Sequence, residues 1–110
     1  MTVLERHGSI AVLRPSGSLR HDTVEDLDEQ IRQSINVGVP LVVIDLAETA
    51  LMDGAGLEWM LSLDEECCRR GGCVRLCGVG ELCGDLLRIT SVGSSLQQFA
   101  SLEAALGSFA

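Results

Sequence analysis

Asp53 directly precedes Gly54, Ala55 and Gly56, and beyond them apolar residues recur at helical spacing. A carboxylate just ahead of a helix accepts hydrogen bonds from the free amides of the first turn and complements the positive helix end. The glycines on either side of Ala55 permit unusual dihedrals and the close approach of another backbone or of an anion. Such an arrangement suits docking, or an anion nest, better than bond breaking. The other reactive side chains form no catalytic pattern. The five cysteines, Cys67, Cys68, Cys73, Cys77 and Cys83, lack the Cys-x-x-Cys or Cys/His spacing of zinc sites. Small buried hydrophobes are the simpler account of them, so neither a metal nor a cofactor is expected. His7, in a predicted turn, and His21, beside a predicted helix start, have no Ser or Cys placed as a nucleophile. No catalytic residue is assigned, and the chain is not expected to be an enzyme. Glu65 with Glu66, and Asp26, Asp28 and Glu29, read as solvated helix faces rather than acid–base pairs. Gly78, Gly80 and Gly84 miss the G-x-G-x-x-G dinucleotide fingerprint by one place, and a turn followed by a helix start explains them better.

Composition narrows the partners. The 110 residues fit one compact domain, and a hydrophobic fraction of 46% is ample for its core. Aromatic residues make up only 3%, which leaves few platforms on which nucleic-acid bases could stack. A net charge of −8 repels polyphosphate and anionic membrane surfaces alike, so basic or apolar protein partners fit better. The longest apolar run, residues 37–44, is broken by Gly38 and Pro40 and is far too short for a membrane span. Residues 1–8 carry no apolar signal-peptide core, and an odd cysteine count fits a reducing compartment, so a cytoplasmic location is expected.

The elements that must position Asp53 follow from periodicity. Residues 3–6 and 9–14 read as two short strands joined by a tight turn, with residues 15–18 a loop by composition. Asp22, with Glu25 three residues on, has the form of a capping box opening a helix whose buried stripe is Val24, Leu27, Ile31 and Ile35. Gly38 and Pro40 stop it. The β-branched run at residues 41–44 reads as a central strand buried on both faces. A second helix, residues 55–70, carries Leu57, Met60, Leu61, Asp64 and Cys68 on one stripe and ends at Gly71 and Gly72. Trp59 lies about 160° to 200° from Leu57, Leu61 and Cys68, off that stripe, where a sole tryptophan is a natural interface anchor. Strand 74–77 and a third helix over residues 81–89, with Leu82, Cys83, Leu86 and Ile89 inward, come next. A short edge strand at residues 96–99 and a last helix capped by Ser101 complete the chain. The order β-β-α-β-α-β-α-β-α implies an α/β fold, a mixed four- to five-stranded sheet with about four helices largely on one face.

Between residues 45 and 57 the order is Asp45, Leu46 and Ala47, a short loop, the apolar pair Leu51 and Met52, then Asp53, Gly54, Ala55, Gly56 and Leu57. This resembles the hallmark of STAS domains, the family of the anti-sigma-factor antagonists, in which a strand ends in Asp-Leu-Ser and Asp-Ser-Ser-Gly-Leu opens a helix. Gly17, Ser18 and Leu19 resemble the family's Gly-x-Leu turn, and Gly71 with Gly72 its helix-ending pair. Residues 86–90 resemble its Leu-x-x-x-Gly segment, and residues 101–106 its closing Ser-x-Glu-x-Ala helix.

The resemblance implies a single STAS domain over residues 1–110 that binds a protein partner, an anti-sigma factor or serine-kinase-like protein, in partner-switching signalling. In the family the first Ser after this Asp is phosphorylated by the partner kinase, and the added charge, about −2, disrupts the interface. Gly54 holds that acceptor position and Ala55 follows, so no phosphorylation site is expected at either. The docking surface is placed on Met52, Asp53, Gly54, Ala55, Gly56 and Trp59. STAS domains without the acceptor also occur beside membrane-transport ATPases, so a subunit of a membrane-associated ABC transport complex is the alternative. An alternative of another class is a nucleotide-binding or catalytic α/β domain using Gly54, Ala55 and Gly56 as an anion nest.

Overall fold

Period-two apolar patterning and a glycine turn start the sheet. In the computed structural model, which describes residues 3–35, 38–80, 84–85 and 96–109, strand β1 (Val3–His7) turns through Gly8, at a φ of 66°, into β2 (Ile10–Arg14). The two pair antiparallel, Val3 opposite Arg14 and His7 opposite Ile10. After β3 (Gly17–Leu19) and helix α1 (Val24–Ser34), β4 (Leu41–Asp45) returns parallel to β2. Then come β5 (Thr49–Met52), helix α2 (Gly54–Arg69) and β6 (Cys73–Cys77), which lies parallel to β4 on its far side. Strand β7 (Gln97–Phe99) adds a parallel edge to β6, and α3 (Leu102–Gly107) follows. The main sheet has the order β1-β2-β4-β6-β7 and is mixed, as the sequence implies.

Alternation along the strands divides the core into two layers. Ala11, Leu13, Val42, Ile44, Val74 and Leu76 face Leu27, Ile31 and Ile35 at α1 and Leu57, Met60, Leu63 and Cys67 of α2. Val12, Val43 and Cys77 point the other way, onto Ala105 of α3. The long helices therefore share one face and the short one covers the other. Val42, Val43 and Ile44 are fully buried, which is why the run at β4 carries no polar alternation. At the turn from α2 into β6, a Cβ on Gly72 would stand 1.9 Å from the Pro40 carbonyl oxygen, so only glycine lets β6 draw up beside the residue preceding β4.

Several details depart from the sequence reading. Helix α1 starts after Thr23 rather than at an Asp22 capping box. The Arg20 carbonyl already accepts the amides of Thr23 and Val24, and Thr23 Oγ1 closes the same turn by accepting the Arg20 amide at 2.9 Å. The turn leaves the Asp22 carboxylate outside, against Arg20. Gly17 and Ser18, assigned to a loop, belong with Leu19 to β3, which pairs parallel with β5 in a separate two-stranded sheet. Leu61 is only half-buried and Cys68 is exposed; Leu63 and Cys67 take the inner positions of α2 instead. Among the described residues there are three helices rather than about four. Of the expected helix at residues 81–89 only Gly84 and Asp85 are described, and both are helical; Leu82, Cys83, Leu86 and Ile89 lie outside the described residues.

Candidate functional site

The small β3–β5 sheet is what presents Asp53. Thr49 begins β5 and is buried, its hydroxyl donating to the Pro15 carbonyl at 2.9 Å, and the Gly17 amide donates to the Glu48 carbonyl. At the other end the Asp53 amide donates to the Leu19 carbonyl at 3.1 Å. The chain thus leaves β5 with Asp53 fixed at the mouth of α2. Asp53 is the N-cap of that helix, and its Oδ1 accepts the Gly56 amide at 3.0 Å. That bond holds the Asp53 carboxyl below its ordinary value of 3.8, with help from the amides of His21 and Ala55 and the charge of Arg20. Asp53 is therefore an exposed carboxylate that already occupies the positive end of its own helix. A second anion at residues 54–56 would meet this negative charge, which weighs against the anion-nest alternative.

The two glycines differ. Gly56 is buried, and a Cβ there would lie 2.6 Å from the Leu19 carbonyl oxygen. The close approach read from the sequence is real at Gly56. Gly54 is exposed, has ordinary dihedrals, and a Cβ on it would meet nothing within 4 Å. Neither carries the left-handed φ that a glycine alone tolerates well. Around them Ala55 and Met52 are half-buried, Ala50 is exposed, and Leu51 is 53% exposed. Met52 to Gly56 are contiguous in space, and Leu51 adds an apolar side chain beside them.

Trp59 corrects the sequence reading. Its side chain is not off the core: the residue is 7% exposed, packs within the main core, and donates from Nε1 to Asp28 Oδ1 at 3.0 Å. Helix α2 is covered by α1 at its side as well as by the sheet beneath, so its buried arc is wider than a one-sided helix would show. Asp28, assigned to a solvated face, is half-buried and holds Arg32 Nε at 2.7 Å with its other oxygen, while Arg32 also pairs with Glu66. Sequence reasoning missed this Asp28–Trp59 bridge because its partners are on different helices. An Asp at one helix's inner margin and an indole needing an acceptor on the next were the available signals.

Among the described residues the cysteines form no shared site. Cys67 and Cys77 are buried, and burial pushes both thiols up to about 12. Cys68 is exposed with its thiol raised by partial burial and by Asp64, and Cys83 lies outside the described residues. Among the described residues, no group of His, Cys, Asp and Glu could hold a metal ion, and no helix is long and apolar enough to cross a membrane. His7 and His21 are both exposed. Gly78 makes a turn at a φ of 64° against Asp45, whose Oδ2 accepts Arg14 Nε at 3.0 Å.

Comparison with known proteins places this geometry. No curated protein matches the chain in sequence. Among solved structures, an anti-sigma factor antagonist from Mycobacterium paratuberculosis superposes with a TM-score of 0.87 at 21% identity, covering 98% of this chain and 92% of its own. The Bacillus cell-fate determinant SpoIIAA in its phosphorylated form gives a TM-score of 0.78 at 20% identity, with full coverage of both chains. A sulfate transporter family protein from Wolinella succinogenes gives 0.77 at 16% identity, covering 90% of this chain and 83% of its own. These likenesses establish the fold. The family model of the STAS domain matches residues 1–105, so the chain belongs to the STAS domain family.

Proposed function

We propose that this STAS domain is a non-catalytic, cytoplasmic regulator of the anti-sigma-factor-antagonist kind, which docks on an anti-sigma factor or serine-kinase-like protein through residues 51–56. The observation that carries the reading is the start of α2: Asp53 caps its own helix, and beside it Gly54 stands exposed with open space where the family's acceptor serine belongs. The surface there is small, apolar at Leu51, Met52 and Ala55, and lacks a hydroxyl at Gly54 and Ala55, so docking is constitutive rather than switched by phosphate. The solved structure from Mycobacterium paratuberculosis, described as an anti-sigma factor antagonist, supports this reading.

The test is titration calorimetry against a kinase-like anti-sigma factor from the same organism. Gly54→Asp places a second carboxylate beside Asp53 and is expected to weaken binding tenfold or more, roughly the effect of a desolvated like charge at an interface. Gly54→Ser, for which there is room, is expected to bind as the natural chain does and to lose binding once the kinase has phosphorylated it. Unchanged affinity for Gly54→Asp would overturn the reading. A second reading is favoured by the likeness to the sulfate transporter family protein: a STAS subunit of a membrane-associated ABC transport complex. Binding to a transporter ATPase, with none to the anti-sigma factor, would select it.

A further inference from the structure

We infer that the groove between α1 and α2 docks a basic, amphipathic segment of a protein partner, one that sets Lys or Arg side chains around an apolar residue. The groove has a volume of about 390 Å³ and begins at Ala55, in the first turn of α2. Val24, Ala55 and the edge of Trp59 give it an apolar strip. Glu25 of α1 and Glu58 of α2 line it too, both exposed, and neither forms an ion pair with any described residue. Among the described residues that line it, the one cation is Arg32, held by Asp28 from within the groove and by Glu66 from outside it. The groove therefore offers an apolar strip with two uncompensated carboxylates, in a chain whose net charge is −8. An acidic, nucleic-acid or membrane ligand is repelled there, while a segment with two cations neutralises both carboxylates as its apolar residue covers the strip.

This inference rests on the reading of residues 51–56 as the partner face, because Ala55 belongs to both, and it extends that face along the helices. The probes are two synthetic peptides with the same apolar residues, one flanked by Arg and the other by Gln. Trp59 is the sole tryptophan, so its emission reports on the groove directly, and calorimetry supplies the affinity. The Arg peptide is expected to shift the emission saturably and to bind at least tenfold more tightly than the Gln peptide. Glu25→Gln and Glu58→Gln are each expected to weaken the Arg peptide by about threefold, the scale of a partly screened ion pair, without lowering the melting temperature. Gly54→Asp is not expected to weaken it. Equal binding of the two peptides, no saturable response, or an Arg-peptide affinity unmoved by both Gln substitutions overturns the groove proposal. The effect of Gly54→Asp on the whole partner judges the loop separately.

Discussion

A Cβ on Gly56 would stand 2.6 Å from a backbone oxygen of β3, whereas one on Gly54 would touch nothing within 4 Å. Gly56→Ala must push the first turn of α2 away from Leu19 and is expected to cost about 1–3 kcal/mol. Gly54→Ala meets no obstacle at ordinary dihedrals and is expected to stabilise by up to about 1 kcal/mol, by restricting the unfolded chain. Urea denaturation of the two variants checks both signs. At Trp59, removal of the ring leaves a cavity between α1 and α2 and takes the donor from Asp28 Oδ1. Trp59→Ala is expected to cost about 3–5 kcal/mol; a thermal melt close to that of the natural chain would contradict the buried position.

Helix α2 depends on its cap, and the cap titrates. The carboxyl of Asp53 is depressed in the folded chain, chiefly by the Gly56 amide. A group depressed on folding contributes stability that is fully present above its unfolded pKa and is lost as pH falls through the folded one. The natural chain is therefore expected to lose stability from about pH 4 downward, and Asp53→Asn to lose less over the same range, as measured by denaturation midpoints between pH 7 and 2.5. This cap was legible in the sequence because it is local: an Asp, two glycines and the helix they open lie within a few residues. Strand β4 was legible for a similar reason, its β-branched run needing no knowledge of its neighbours. Strands β3 and β5 were not, because each is three or four residues long and becomes a strand only by pairing with the other across the intervening helix and central strand. The stripe of α2 was misplaced for the same kind of reason, since the lateral cover by α1 that draws in Trp59 and Leu63 is a tertiary fact.

For the whole molecule, a net charge of −8 makes the approach of a basic partner an electrostatically steered event. Raising salt from about 0.05 to 0.5 M is expected to slow association at least several-fold while changing dissociation much less, because screening acts on encounter more than on the packed contact. Stopped-flow mixing with the proposed anti-sigma factor partner separates the two rates. The order of strands has a further consequence, which concerns time. Asp53 is positioned by β5, β5 is held by β3, and Leu19 at the end of β3 is itself buried among residues of both long helices. A two-stranded ribbon is marginal by itself, and closing it must wait until the segments around it have collapsed. Pairings between segments so distant in sequence form more slowly than local ones. The docking face proposed at residues 51–56 is therefore expected to form late, so that a partner gripping it would select for molecules that have finished folding.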